Sequence, residues 1–189
     1  MIASARRTYR FLEFVGDSLA VLVRLPLILR ARLRRLVSKA FEEKLMLTVT
    51  AVNGCRYCSW FHAREAARCR VPREEIATLL SGAIDRPVGS DETSGLLFAQ
   101  HYAQSDRRPD PEATTRLREA YGGAVADEIL LILRIISLGN LAGNTFKSFV
   151  ERVRGRGPGG PGFLDELLVF LVTAPLFGPI GWMMRREGR

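Results

Sequence analysis

The sequence predicts an all-α protein, a helical bundle with additional helices at its N- and C-termini. Apolar residues recur at helical spacing through most of the chain. Proline and glycine stand where these segments begin or end, as at Pro72 and Gly82. Residues 125–150 form the longest apolar helical run and carry one charge, Arg134, in their central part. We therefore expect this run to be the core helix.

The composition is that of a globular protein. Of 189 residues, 47% are hydrophobic and 25% are charged, which excludes a collagenous or fully disordered chain. A chain of this length can bury one good core. Three cysteines are too few for a disulfide-stapled scaffold.

The net charge of +8 is concentrated near the N-terminus. Residues 1–40 carry nine basic and two acidic groups, whereas residues 41–150 carry 13 and 14 and residues 151–189 carry six and four. The high isoelectric point therefore describes the N-terminal arm and does not indicate a nucleic-acid partner for the domain.

Four segments follow from these patterns. They are a basic amphipathic arm (1–35), an all-α domain (36–153), a Gly/Pro linker (154–162) and an apolar helical tail (163–189). In the arm, helices are predicted over 8–24 and from Leu27 to Ala40, separated by Pro26. The second helix has an apolar stripe beside arginines, which favours packing on the domain or contact with an anionic membrane over nucleic-acid binding.

The domain itself contains six predicted helices. They cover 41–52 up to the Asn53-Gly54 break, 55–70, Pro72 to Gly82, Ser90 or Asp91 to Gln104, Asp110-Pro111 to Gly122-Gly123, and 125–150. For 41–52 a strand is the alternative, because Thr48, Val49, Thr50 and Val52 favour extended structure.

In the last of these helices, Gly139 and Gly143 would let another helix approach closely, and Asn140 and Asn144 form a buried polar pair on one face. Helix packing by a satisfied amide pair is favoured over a ligand site.

The tail from Leu167 to Met184 has no charge over 18 residues, close to the lower length for a bilayer span. Pro175 and Pro179 interrupt it, which favours a helical hairpin that docks on the fold or enters a membrane. Trp182 near the end of the tail would suit a membrane interface. No small-residue cleavage site follows the N-terminal arginines, so we expect a cytoplasmic protein, with membrane association through its ends as an alternative.

The informative motif is Cys55-x-x-Cys58-x-x-x-His62. On a helix these three side chains fall within about 60° of one another. Two cysteines three apart at a helix start can approach to disulfide distance, and the helix dipole favours a thiolate there. His62 lies one turn beyond Cys58, where its ring can take a thiol proton.

Two other interpretations of this motif compete with redox chemistry. The residues could be packed thiols with a surface histidine, or ligands of a structural zinc ion together with Cys69. Cys69 lies about 16 Å further along the helix than Cys58, so that only three ligands could converge. His101 occurs in a separate helix and is not assigned to the site.

Glu43 stands twelve residues before Cys55 at the head of the predicted buried helix. It is either a solvated first-turn acid or a carboxylate that orients His62 as a base. Sequence spacing leaves both open.

Glu43 followed by Cys55-x-x-Cys58-x-x-x-His62 resembles the alkylhydroperoxidase D-like branch of the carboxymuconolactone decarboxylase family over about residues 36–150. The stretch from Thr50 to His62 and the Gly139-Asn140-x-x-Gly143-Asn144 run are also similar to that family. The resemblance implies an all-α bundle that usually oligomerises, with a thiol site that reacts with peroxides and is recycled by an external dithiol. We expect no cofactor and no metal.

By this resemblance Cys58 attacks the peroxide and becomes a sulfenic acid, Cys55 resolves it as a disulfide, and His62 and Glu43 relay the proton. Peroxidase members carry a histidine where this chain has Tyr57, a hydrogen-bond donor that cannot serve as a base at neutral pH. The function that the resemblance implies is a thiol-dependent peroxidase. The alternatives are a cofactor-free lyase, which would not need the cysteine pair, and a membrane-associated redox sensor.

Overall fold

The computed structural model describes residues 7–83, 92–156 and 161–187. Within these ranges every regular element is an α-helix, which confirms the all-α prediction. The helices are α1 (Phe11–Leu22), α2 (Leu25–Arg34), α3 (Lys39–Asn53), α4 (Arg56–Arg68), α5 (Arg73–Ser81), α6 (Thr93–Gln104), α7 (Pro111–Tyr121), α8 (Gly123–Val153) and α9 (Phe163–Glu187).

α8 is the central helix of the fold, as the apolar run over 125–150 predicted. It packs against α3 and α9, and α1, α4, α6 and α7 also touch it. Side chains such as Ile129, Leu133 and Ile136 are almost completely buried in the core that results.

α3 is buried on nearly all sides, as expected for residues 41–52. The Ser38 hydroxyl caps its start by accepting a hydrogen bond from the N–H of Phe41 at 3.1 Å. The helix ends at Gly54, whose φ of 70° lies in the left-handed region that glycine adopts without a steric penalty. This turn places Cys55 at the start of α4.

The arm differs from its prediction. α2 begins at Leu25, so that Pro26 lies in its first turn, where no backbone donor is needed. The helix ends at Arg34, and Arg35 has a positive φ of 49°. The prediction of one helix from Leu27 to Ala40 is therefore wrong, because the chain turns before a newly capped helix, α3.

The predicted helix boundaries around α5 and α7 are confirmed. α5 follows Pro72 and ends at Gly82, which has a φ of 75°. α7 begins at Pro111 and is separated from α8 by Gly122, with a φ of 76°. Both glycines therefore end a helix in a conformation that other residues rarely adopt.

Two predictions fall partly outside the described residues. The expected caps Ser90 and Asp91 lie outside them, and α6 begins at Thr93. Of the linker 154–162, the structure describes only the ends, which are not helical.

α9 is one continuous helix, so the prediction of a helical hairpin is wrong. Pro175 and Pro179 lie inside this helix with exposed side chains. A proline removes one backbone donor, and the helix persists because its other face is buried against α8. On that face Val169 and Phe177 are buried.

Ionic contacts fasten both ends of α9 to the bundle. Near its start, the fully buried Glu166 accepts a hydrogen bond from Arg152 Nε at 2.7 Å. At its end, Glu187 accepts from Trp60 Nε1 at 3.2 Å and from Arg64 Nη1 at 2.5 Å, both on α4. The helix is therefore docked across α4 and α8.

The exposed side of α9 is apolar. The helix has 25 residues and is long and apolar enough to cross a membrane, a property that core helices of soluble proteins share. Only 22% of its most apolar window is buried. Leu171, Val172 and Leu176 are each more than half exposed.

Candidate active site

The two cysteines of the motif meet at the junction of α3 and α4. Cys55 is the N-cap residue of α4, and its Sγ accepts a hydrogen bond from the backbone N–H of Cys58 at 3.3 Å. Both are free thiols. Cys55 is completely buried and Cys58 nearly so, although Cys55 stands at the start of the helix.

The thiols differ in acidity. Burial raises the pKa of Cys55, but hydrogen bonds from the Cys58 side chain and from the N–H groups of Cys58 and Tyr57 outweigh it, and with the charge of Lys147 they lower this pKa. The hydrogen bond to Cys55 and burial raise the pKa of Cys58 well above its usual value. The first negative charge on the pair therefore resides on Cys55.

Glu43 and His62 form a buried pair across α3 and α4. The Glu43 Oε2 atom lies 2.7 Å from His62 Nδ1, and its Oε1 atom lies 2.7 Å from Lys39 Nζ. Glu43 is only 1% exposed. The sequence left two interpretations of Glu43 open. In the structure Glu43 is not a solvated acid, and its carboxylate contacts the ring of His62.

This contact determines what the imidazole can do. When Nδ1–H donates to the carboxylate, Nε2 carries the lone pair and can accept a proton. His62 lies one turn beyond Cys58 on α4, and its side chain is 14% exposed. The imidazole is therefore held in one orientation on the helix that carries the thiols.

Glu43 is held in its ionised form. Burial alone would raise its pKa, but hydrogen bonds from His62 and Lys39 and their charges outweigh burial, and the pKa is lowered. The carboxylate therefore remains charged at neutral pH and can stabilise an imidazolium.

α8 approaches the cysteines at Gly143. A Cβ atom added there would lie 2.8 Å from Cys55 Sγ and 3.1 Å from ring carbons of Phe177 on α9. The predicted close approach is therefore confirmed at this glycine. It is wrong at Gly139, where an added Cβ would meet nothing within 4 Å.

The two asparagines of α8 bind α3 and do not form a satisfied pair. Asn140 Oδ1 accepts a hydrogen bond from Thr50 Oγ1 at 3.0 Å, whereas its Nδ2 has no hydrogen-bond partner within the part of the chain that the structure describes. Asn144 Nδ2 donates to the Asn53 carbonyl at 2.8 Å. These bonds hold the end of α3, and with it the turn before Cys55, against the core helix.

Tyr57 connects the thiol turn to α9. Its ring lies 5.5 Å from that of Phe146 and 5.6 Å from that of Phe177, measured between centroids. Burial raises the pKa of Tyr57 against the opposing charges of Arg185 and Arg56, so the phenol stays neutral. No sequence pattern indicated Phe177 as a site residue, because α9 lies far along the chain from the cysteine motif.

The remaining chemistry-bearing residues lie apart from this site. Cys69 forms the C-cap of α4, and His101 Nε2 accepts a hydrogen bond from the N–H of Asp110 at 3.2 Å. Among the described residues, no group of three or more histidine, cysteine, aspartate or glutamate side chains could hold a metal ion.

A buried cysteine pair on a helix start, beside a carboxylate–imidazole pair, defines a helical thiol protein. Residues 25–100 match the model of the carboxymuconolactone decarboxylase family, the family that the sequence resembles, and the alkylhydroperoxidase D-like branch is consistent with this match. Members of this family are enzymes, either decarboxylases or peroxidases. Comparison with curated proteins and with solved structures gave no match.

The matched span contains all four predicted site residues, Glu43, Cys55, Cys58 and His62. It ends within α6, so that α8 and α9 lie outside it, although both contribute walls to the thiol site.

Proposed function

We propose that this protein is a thiol-dependent peroxidase, an oxidoreductase that reduces hydroperoxides through Cys55 and Cys58. The observation that carries the proposal is that Glu43 of α3 orients His62, which lies one turn beyond Cys58 on α4. A lyase of the same family would have no use for two cysteines in hydrogen-bond contact.

The first step oxidises Cys58. Because its pKa is raised, this thiol needs a base, and His62 one turn away accepts its proton. The thiolate attacks one peroxide oxygen and the O–O bond breaks. The leaving alkoxide takes the proton from the imidazolium, which gives an alcohol and a sulfenic acid on Cys58.

The second step forms the disulfide. Cys55, the more acidic thiol, attacks the sulfur of the sulfenic acid, and hydroxide leaves and is protonated to water. An external dithiol then reduces the disulfide by exchange and is itself oxidised. The lowered pKa of Cys55 suits this resolving role, because a more acidic thiol forms the attacking thiolate more readily.

The proposed partners are a hydroperoxide, a dithiol reductant and further copies of the same chain. The apolar exposed side of α9 supports a peripheral membrane contact as well. No cofactor, metal or nucleic acid enters the proposal.

A peroxide-consumption assay with several dithiol donors tests the proposal. We expect turnover that is abolished in both Cys55→Ser and Cys58→Ser. Cys69→Ser is the matched control, because this thiol lies at the other end of α4 and should leave turnover unchanged. Turnover that survives loss of either motif cysteine would exclude the mechanism.

A further inference from the structure

A cavity of about 560 Å³ lies beside the thiol turn, between the start of α4, the end of α8 and α9. Its volume is within the range of small-molecule sites, about 300–1,000 Å³. The floor is aromatic and consists of Tyr57, Phe146, Phe170 and Phe177. The rings of Phe146 and Phe170 stack at 4.9 Å, so that the floor is a continuous apolar surface.

Basic side chains also line this cavity. The lining residues include five basic side chains: Arg56, Lys147, Arg154, Arg156 and Arg185. The single acidic lining residue, Glu151, is paired with Lys147 at 3.3 Å. Among the described residues, none of the four arginines has a carboxylate partner. Four unpaired guanidinium groups around one apolar cavity favour an anion with an apolar body.

The cavity adjoins the cysteine pair on the side of Cys55, the resolving thiol. Phe177 forms part of the floor and also packs at Gly143, where the Cys55 Sγ atom lies. Lys147 lines the cavity and acts electrostatically on Cys55. Because both thiols are buried, a substrate has to reach them through such a space.

We infer that this cavity binds an anionic amphiphile, with its carboxylate among the arginines and its apolar chain on the aromatic floor. The chemical consequence of this inference rests on the proposed function. For a peroxidase with this cavity, the preferred substrate is a hydroperoxide that carries an apolar chain and a carboxylate, as a fatty-acid hydroperoxide does. Small neutral hydroperoxides would use the floor alone and react less efficiently.

Direct binding tests the site independently of catalysis. The probe is dodecanoate, below its micelle concentration, compared with methyl dodecanoate, which has the same chain without the charge. Binding to the full chain is measured by isothermal titration calorimetry. We expect dodecanoate to bind about tenfold more tightly than the ester, and added salt to weaken this preference.

The double variant Arg154→Gln/Arg185→Gln should reduce the preference to about twofold or less. Both arginines are exposed, so the variant should keep the fold. The control Arg73→Gln/Arg116→Gln removes the same two charges from α5 and α7, away from the cavity, and should keep the wild-type preference. Equal binding of acid and ester, or equal loss in both double variants, would overturn the inference.

Turnover provides the second measurement. Linoleic acid hydroperoxide should have a kcat/KM about tenfold above that of its methyl ester, and the cavity variant should abolish the difference. Equal turnover of both, with no binding of dodecanoate, would overturn the inference and leave the peroxidase intact. Binding of dodecanoate without turnover of any hydroperoxide would support the anion site and reject the proposed function.

Discussion

Glu43 Oε2 lies 2.7 Å from His62 Nδ1, so that residues 19 positions apart form one carboxylate–imidazole pair across α3 and α4. The other carboxylate oxygen is bound by Lys39 at 2.7 Å. Because both oxygens are engaged, the carboxylate is fixed, and it fixes the ring in turn. The imidazole is therefore oriented before a substrate arrives.

Removing the charge of Glu43 should slow peroxide reduction. Glu43→Gln keeps the size of the side chain but no longer stabilises the imidazolium or selects the Nδ1–H tautomer. We expect the rate of thiol oxidation to fall by about 10². Stopped-flow measurement with one equivalent of peroxide checks this. The control Glu42→Gln alters the neighbouring carboxyl, which binds Lys39 and not His62, and should react near the wild-type rate.

The same carboxyl should make stability depend on pH. A carboxyl whose pKa is lower in the folded state contributes stability that is full above its usual pKa of 4.5 and is lost as the pH falls through the folded value. The advantage of wild type over Glu43→Gln in free energy of unfolding should therefore be greatest at neutral pH and shrink below about 4.5. Urea denaturation across this range provides the measurement, and a constant difference would contradict the lowered pKa.

The roles of the cysteines are separable by trapping. Cys55→Ser should leave a sulfenic acid on Cys58 after one equivalent of peroxide, whereas Cys58→Ser should form none. His62→Ala should slow this step by about 10² to 10⁴, the usual contribution of a positioned base. Dimedone labelling followed by mass spectrometry identifies the oxidised residue. If the label appears first on Cys55 in the wild type, the order of the two thiols is reversed.

Two glycines of α8 should respond in opposite directions to alanine. At Gly143 the new methyl group would lie 2.8 Å from Cys55 Sγ, and we expect a loss of about 1–3 kcal/mol in unfolding free energy together with slower peroxide reduction. At Gly139 nothing lies within 4 Å, so alanine should stabilise the helix by about 0.5–1 kcal/mol. Thermal unfolding measures the change in stability of both variants. Equal changes would show that α8 does not approach Cys55 closely at Gly143.

Rules that use only neighbouring residues were sufficient to predict many of the helix boundaries. Gly54, Gly82 and Gly122 end helices where the sequence predicted, because a positive φ is a local requirement. The motif also placed Cys55 and Cys58 at a helix start, since the turn before it is encoded nearby.

What the sequence missed depends on distant residues. Burial of Cys55 comes from α8 and α9, more than eighty residues away, through Gly143 and Phe177. The continuity of α9 through its two prolines likewise depends on packing against α8, which a local helix rule cannot include. The role of Glu43 needed the crossing of α3 and α4, so that spacing alone left it open.

The exposed face of α9 should bind anionic membranes. Leu176 is 60% exposed on this face, and Trp182 with Arg186 stacked 4.0 Å from its ring suits a lipid interface. Burial of the Leu176 side chain in the membrane would contribute about 1.5–3 kcal/mol, and a glutamate in its place would be repelled by the anionic lipid. We therefore expect Leu176→Glu to reduce sedimentation with phosphatidylglycerol vesicles at least about tenfold. Leu97→Glu is the control, because Leu97 is similarly exposed on α6, away from this face, and should sediment like wild type. Light scattering of the same variants tests whether this surface instead joins copies of the chain. If Leu176→Glu sediments normally but changes the oligomeric mass, the apolar face of α9 joins copies of the chain and does not bind lipid.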